Sequence, residues 1–336
     1  MSDAQQTVLA ALRDQLLDRH RGPLVALLSG GPDSVCLVDG LARLRQKGGL
    51  WALHVNYGLR PDADLDQRHC ETLCAQLGVE LKVVRAPQPP KENLQAWARR
   101  LRYREAFALA SSLEEPGLPG LVLTGHTADD QLETCLYRLC ASPGRRPLFG
   151  MRPRRGRIVR PLLSVWRREV YAYLEARALR WREDPTNANP RFARARVRFA
   201  LREALRQVHP AAERNVLRTV EQLREEGELL AALVEREVAG KATISTARLL
   251  SLHPALARLV LVALAERATG RPVPQAGRRL GEVIALARSL GGHGRPLRAE
   301  VHLGAGAAAV LERGILRVVP ICGDGKAESG WGRPTE

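Results

Sequence analysis

The sequence predicts an α/β fold, a doubly wound parallel sheet followed by a second, smaller, mainly helical domain. Three observations carry this. Short apolar runs alternate with stretches of helical periodicity over the first half of the chain. Several of those runs end in loops rich in Gly, Asp, Asn and His, the usual chemistry of a strand running into a helix. Beyond about residue 213, apolar residues recur mainly at helical spacing. A length of 336 residues suits about two domains, and 45% hydrophobic residues can bury a sizeable core.

The elements follow in order. Met1 to His20 reads as an amphipathic helix carrying Asp3, Asp14 and Asp18, and not as a signal peptide. Leu24-Val25-Ala26-Leu27-Leu28 is too short for a helix and reads as a buried strand. A helix is expected from Asp33 to Lys47, a strand over Leu50–Val55 and a helix from Asp62 to Leu77. Val79–Val84 is a third strand, and Pro87, Pro89 and Pro90 separate it from a helix over Asn93–Ser112. Leu121-Val122-Leu123-Thr124 is a fourth strand, running into another helix. Seven arginines between Arg145 and Arg160 are interleaved with Pro and Gly, which predicts a loop or hairpin. A helix follows over Ser164–Ala178, then a turn at Trp181–Asn187 and a second arginine-rich stretch from Arg191 to Arg206. Domains are expected at 1–213 and 214–322, with a disordered tail at 323–336 that is rich in Gly and charge. In the second domain, helices are expected near His253–Ala268 and Gln275–Leu290, then short strands over Val301–Val319.

Composition excludes some classes. No apolar run approaches the roughly 18 residues of a membrane span, so a cytoplasmic protein is expected. The six cysteines include no Cys-x-x-Cys pair and sit mostly among apolar residues, which predicts free thiols. A net charge of +16 implies a polyanionic partner, most simply nucleic acid. Arginine outnumbers lysine by 47 to 5, so clustering carries more information than the total.

Ser29-Gly30-Gly31-Pro32-Asp33-Ser34 follows the first strand. Two glycines permit a tight turn and close approach of backbone to a ligand, and Pro32 suits the first position of a helix. Amides at such a strand–turn–helix junction favour phosphate. No Gly-Lys-Ser/Thr ending is present, so this is not a Walker A loop. A second motif is Gly125-His126-Thr127-Ala128-Asp129-Asp130-Gln131-Leu132-Glu133-Thr134. On a helix, His126, Asp130 and Glu133 would share one face. Such a group can hold Mg²⁺, bind an ammonium or move a proton. In a doubly wound sheet both loops, together with His54–Arg60, converge at the carboxyl ends of the strands.

The Ser-Gly-Gly-x-Asp-Ser stretch resembles the PP-loop of the ATP pyrophosphatases, whose fold is adenine nucleotide alpha-hydrolase-like. With the Gly-His-x-Ala-Asp-Asp-Gln-x-Glu-Thr stretch, the chain resembles the tRNA(Ile)-lysidine synthetase family. Further matches are His54-Val55-Asn56-Tyr57-Gly58-Leu59-Arg60, Asn93–Arg99 with Leu101-Arg102-Tyr103, Gly150-Met151, Arg160-Pro161-Leu162-Leu163 and Trp181–Asn187. The resemblance covers about residues 24–205 and is similar to the short form of the family, with one C-terminal domain for tRNA. It implies a ligase acting on the CAU anticodon of an isoleucine tRNA, with ATP and Mg²⁺. The wobble cytidine would be adenylated at C2, and free lysine would then give lysidine, AMP and pyrophosphate. ATP would lie on Ser29, Gly30, Gly31, Pro32, Asp33 and Ser34, with Asp33 near Mg²⁺. Asp33, His126, Asp130 and Glu133 would serve catalysis, with the division of tasks between the carboxylates open. Arg102, Arg145, Arg146, Arg154, Arg155, Arg196 and Arg198 are the expected tRNA-binding residues, and a homodimer is the expected assembly.

The chain departs from the family pattern at Tyr57, where histidine is usual, across Cys140–Pro147, and at Ala195, where asparagine is usual. The alternative is a PP-loop tRNA thiolase, which adenylates a tRNA base but delivers sulfur.

Overall fold

The structure is a computed structural model that describes residues 1–17, 20–44, 49–59, 61–90, 93–141, 144–183, 193–290 and 298–321. Arg60, Ser142, Pro143, Asp184–Asn187, Arg191, Cys322 and the tail expected at 323–336 lie outside the described residues. The chain divides into two units, Met1–Leu223 and Arg224–Glu336.

In the first unit, helix α1 (Asp3–Leu12) opens on a capping box: Ser2 Oγ accepts the Gln5 N–H and the Gln5 side chain accepts the Ser2 N–H. Strand β1 (Leu24–Leu27) leads to helix α2 (Pro32–Leu44), which begins at the proline. Strand β2 (Leu50–Asn56), helix α3 (Ala63–Leu77), strand β3 (Glu80–Arg85), helix α4 (Leu94–Ser112), strand β4 (Leu121–Leu123) and helix α5 (Ala128–Ala141) complete the alternation. The arginine-rich stretch forms one helical turn, α6 (Arg145–Leu148), and a hairpin of β5 (Arg154–Arg155) and β6 (Ile158–Val159). The hairpin was expected; the turn α6 was not, since two arginines before a proline carry little helix signal. Helix α7 (Arg167–Ala176), α8 (Ala193–Arg196), a π turn over Val197–Leu201 and α9 (Arg202–Val208) follow.

The sheet order is β3-β2-β1-β4-β6-β5, with every pairing parallel except the β5–β6 hairpin. The winding is double because β1 faces two cores. Leu24, Ala26 and Leu28 join Val8, Leu12, Leu37, Leu41 and Leu174 on one side. Val25 and Leu27 join Leu53, Leu101 and Leu109 on the other. A strand buried on both faces needs continuous apolar residues, which is why β1 reads as an unbroken run. Buried Asp39 ties α2 to α7, accepting from the Tyr173 hydroxyl and, at 3.1 and 3.0 Å, from Arg177 Nε and Nη2.

Helix α10 (Ala212–Val238) contains the division between the units, and the boundary expected at 213 lies at its start. The second unit holds β7 (Thr243–Ser245), α11 (Thr246–Ser251), α12 (Pro254–Thr269), a 3-10 turn over Pro274–Arg279, α13 (Leu280–Ser289), β8 (Arg298–Gly304), β9 (Ala307–Glu312) and β10 (Ile315–Pro320). The strands form an antiparallel sheet in the order β7-β10-β9-β8, packed on α12 and α13 through Leu261, Leu264, Val283, Leu303, Leu311 and Leu316. This sheet is larger than the expected short strands. Strand β7 is only three residues long and pairs with β10 some seventy residues later, a distance no local pattern reports. No helix among the described residues is long and apolar enough to cross a membrane.

Candidate active site

The turn after β1 is closed by its own serines. Ser34 Oγ accepts the Ser29 N–H at 3.1 Å, donates to the Gly31 carbonyl at 2.9 Å and lies 3.2 Å from Ser29 Oγ. Gly30 has φ +82°, a conformation that a side chain would strain. Its carbonyl accepts the Arg182 N–H at 2.9 Å, and Arg182 Nε pairs with Asp66 at 2.6 Å, so the Trp181–Arg182 segment pins the turn from outside. Pro32, Asp33 and Ser34 form the first turn of α2.

The loop after β4 meets this turn directly. A Cβ on Gly125 would stand 2.7 Å from the Asp33 carbonyl oxygen, so only glycine lets the two loops approach this closely. His126 and Thr127 precede α5, so His126 sits in the loop and not on the helical face expected of it. The reason is a local cap. Asp130 Oδ2 accepts the Thr127 N–H and hydroxyl, both at 3.0 Å, which starts the helix at Ala128. Thr124 Oγ1 holds His126 Nδ1 at 2.7 Å, and Asp130 lies close enough to act on the imidazole's charge.

Helix α7 contributes the third wall. The Ala128 N–H donates to the Val165 carbonyl at 2.9 Å, and Asp129 Oδ2 accepts the Arg167 N–H at 2.6 Å. The N-termini of α2, α5 and α7 therefore converge. The Arg167 guanidinium lies among their acids, 3.6 Å from Asp33 Oδ2, 3.5 Å from Asp130 Oδ1 and 3.8 Å from Glu133 Oε1. Glu133, fully buried, is gripped bidentately by Arg198 at 2.6 and 3.1 Å. Arg202, 5% exposed, pairs with Asp129 at 2.7 Å and with Glu213 at 2.7 and 3.2 Å.

The electrostatics separate these groups. Burial pushes the Asp33 carboxyl up to about 7; Arg167 opposes this, and Asp130 and Asp129 add to it. Asp33 Oδ1 is buried with no hydrogen-bond partner. Burial also acts on Asp130, but Arg167, the Thr127 donors and His126 outweigh it and hold its carboxyl below the usual range. His126 is lowered to about 4 by burial, against Asp130, and with help from Arg160, Arg194 and Arg99, so its imidazole is neutral at pH 7. The site thus offers an ionised carboxylate, a neutral imidazole and an under-neutralised carboxyl beside a phosphate-type turn. That set can bind a cation, accept a proton and neutralise a leaving anion.

The other expected residues are spread around this centre. Arg102 on α4 lies close enough to Tyr57 to affect its ionisation, and Tyr57 donates its hydroxyl to the Ala98 carbonyl at 3.0 Å. Arg145 stacks over Phe149, with the guanidinium carbon 5.7 Å from the ring centre, and Arg146 is its neighbour on α6. Arg154 and Arg155 are exposed on the edge strand β5. Arg196 ends α8, and Arg198 points inward to Glu133. Sequence reasoning gave no site role to Arg167, Asp129, Thr124, Thr127 or Arg202. One signal was available: Arg167-Arg168 stands at a helix start, where cations oppose the macrodipole unless acids surround them.

An open parallel sheet whose first strand runs through Ser-Gly-Gly-Pro-Asp-Ser into a helix, beside a His–Asp–Glu group, defines the PP-loop class. A family model described as the PP-loop domain matches residues 1–205. A tRNA(Ile)-lysidine synthase from Hyphomonas neptunium is 35% identical over 304 residues, 84% of this chain and 78% of that protein. The tRNA(Ile)-lysidine synthase of Thermus thermophilus is 40% identical over 224 residues, 64% of this chain and 42% of that protein. That of Pseudomonas syringae is 38% identical over 218 residues, 63% and 48%. The chain belongs to the tRNA(Ile)-lysidine synthase family of PP-loop proteins. It spans about half the length of the Thermus and Pseudomonas relatives. A U34-tRNA thiolase from Methanococcus maripaludis shares the fold at TM-score 0.53 and 19% identity, over 66% of this chain and 79% of that one.

Proposed function

We propose that the protein converts the wobble cytidine of a CAU-anticodon isoleucine tRNA to lysidine. The observation that carries the reading is the meeting of the Ser29–Ser34 turn with the loop that bears His126, which brings Asp33, Asp130 and Glu133 together around Arg167. In the first step, cytidine O2 attacks the α-phosphorus of ATP and the bond to pyrophosphate breaks. The turn amides and the α2 N-terminus would hold the phosphates. In the second step, the lysine ε-nitrogen attacks C2, the C2–O bond breaks and AMP leaves, while the amine loses its proton. Free lysine has a side-chain pKa near 10.4, so a base must act. Asp130 and His126 both stand unprotonated at pH 7 and are the groups assigned to take that proton as the new bond forms, and Glu133, fully buried and gripped by Arg198, would support them.

Mg²⁺ fits this site on one observation, the unpartnered Asp33 Oδ1. Mg²⁺ is commonly held by one or two carboxylates together with substrate phosphates, so Asp33 would share it with ATP. When bound, the ion neutralises charge on the pyrophosphate.

The arginines of α6 and β5, Arg102 and Arg196 would follow the tRNA backbone, and the domain expected at 214–322 would add a further surface. Arg198, expected to join them, instead supports Glu133. The thiolase reading finds less support. Cys70 and Cys74 are buried and their thiols are pushed up to about 12 and 11 by burial, conditions that disfavour a nucleophilic thiolate.

The test is direct. Purified protein with CAU-anticodon isoleucine tRNA, ATP, Mg²⁺ and labelled lysine is expected to label the tRNA and release AMP and pyrophosphate in equal amounts. Labelling that requires a sulfur donor, or that survives Asp33→Ala, refutes the reading. A homodimer belongs to the same proposal and is checked by sedimentation.

A further inference from the structure

Arg167 and Arg202 each form ion pairs with three carboxylates, and those of Arg167 are of an unusual kind. Arg198 and Arg202 each hold a carboxylate at 2.6 to 2.7 Å. Arg167 instead stands 3.5 to 3.8 Å from Asp33, Asp130 and Glu133, shared among them and committed to none. Its main chain, by contrast, is tightly fixed. The Asp129 carboxylate accepts the Arg167 N–H at 2.6 Å, and Glu169 Oε2 accepts the Trp166 N–H at 2.8 Å to cap the same helix start. Asp129 is itself held by Arg202, which Glu213 grips in turn. The guanidinium thus hangs from an immobile anchor into the space between the ATP-side acid and the amine-side acids. Its side chain is 18% exposed.

We infer that Arg167 is a positioning residue that couples the two halves of the reaction, setting Asp33 at the phosphate turn in register with Asp130 and Glu133 at the amine site. The inference rests on the proposed function. Three like charges brought to one point repel one another, and a single shared guanidinium, with two nitrogens on a planar fork, is the group that can span them. Without it Asp33 turns away from Asp130 and Glu133, and both the nucleotide and the amine lose their placement. Misplacement of about 1 Å costs on the order of a hundredfold in rate.

The experiment uses the full chain with tRNA and follows both half-reactions separately: pyrophosphate release without lysine, and the KM for lysine in the complete reaction. Arg167→Met keeps the Asp129 contact to the backbone and removes the charge. It is expected to slow pyrophosphate release about a hundredfold and to raise the lysine KM about tenfold in the same protein. Guanidinium ion at low millimolar concentration should restore part of both activities to Arg167→Ala, which a purely structural role would not allow. Loss confined to one half-reaction, or retention of both, overturns the inference. If Arg167→Met fails to fold, Arg167→Lys decides: one ammonium cannot span three carboxylates, so wild-type rates in both halves would also overturn it. Failure of the wild-type protein to release pyrophosphate or label tRNA would instead count against the proposed function itself.

Discussion

Asp33 is the residue at which stability and the proposed activity are expected to pull apart. Its carboxyl is raised to about 7 because burial penalises the charge, and Oδ1 finds no donor. Folding alone gains nothing from such a group; a bound cation would. Asp33→Asn is therefore expected to abolish pyrophosphate release while leaving the melting temperature equal to or above that of the parent, as read by calorimetry. His126 makes a complementary prediction. Its folded-state pKa of about 4 lies below the unfolded value of 6.5, so the unfolded chain binds the extra proton first. The contribution to stability is complete above pH 6.5 and is lost as pH falls towards 4, amounting to about 2 kcal/mol by pH 5. Denaturant titrations at pH 7.5 and pH 5 should show this difference shrink in His126→Gln; an unchanged pH slope would contradict the burial of the imidazole.

At the scale of elements, the site is three helix starts held together by backbone. Gly125 lets the β4–α5 loop touch the α2 N-terminus, and Val165 and Asp129 bind the α7 start to α5. Gly125→Ala puts a methyl 2.7 Å from the Asp33 carbonyl oxygen. Overpacking of this kind costs about 1–3 kcal/mol, and the displacement of α2 should lower the rate by about a hundredfold. Steady-state kinetics beside a thermal melt check both effects. The far end of the same pair is closed by Asp39 with Tyr173 and Arg177. Asp39→Ala leaves a buried hydroxyl and a guanidinium without their acceptor and is expected to cost about 3 kcal/mol, read by urea unfolding.

For the whole molecule, the excess of positive charge is expected to act through tRNA phosphates. Each arginine that meets a phosphate releases a counterion, so the logarithm of the binding constant falls with the logarithm of salt concentration. Replacing both Arg154 and Arg155, exposed on β5, by alanine is expected to flatten that slope by about 2 units and weaken binding without altering ATP affinity. Filter binding across a salt series gives the slope; an unchanged value would remove β5 from the tRNA surface.

The alternation of strands and helices was legible because period 2, period 3.6 and glycine turns are local properties of the chain. So were the Ser29–Ser34 turn and the spacing of Asp130 and Glu133, since neighbouring residues on one helix need no tertiary information. The sequence by itself therefore determined the class of fold, the phosphate-type turn and the acids beside it. What it could not show were pairings between residues far apart. Arg167 meets Asp33 across more than a hundred residues, Arg198 turns inward to Glu133, and Arg202 joins Asp129 to Glu213. Strand β7 likewise finds β10 only through the folded chain. Charge sign is visible in a sequence, but burial and partner choice arise where loops bring separate elements together. For that reason only the tertiary structure decided which arginines hold the site's carboxylates in place.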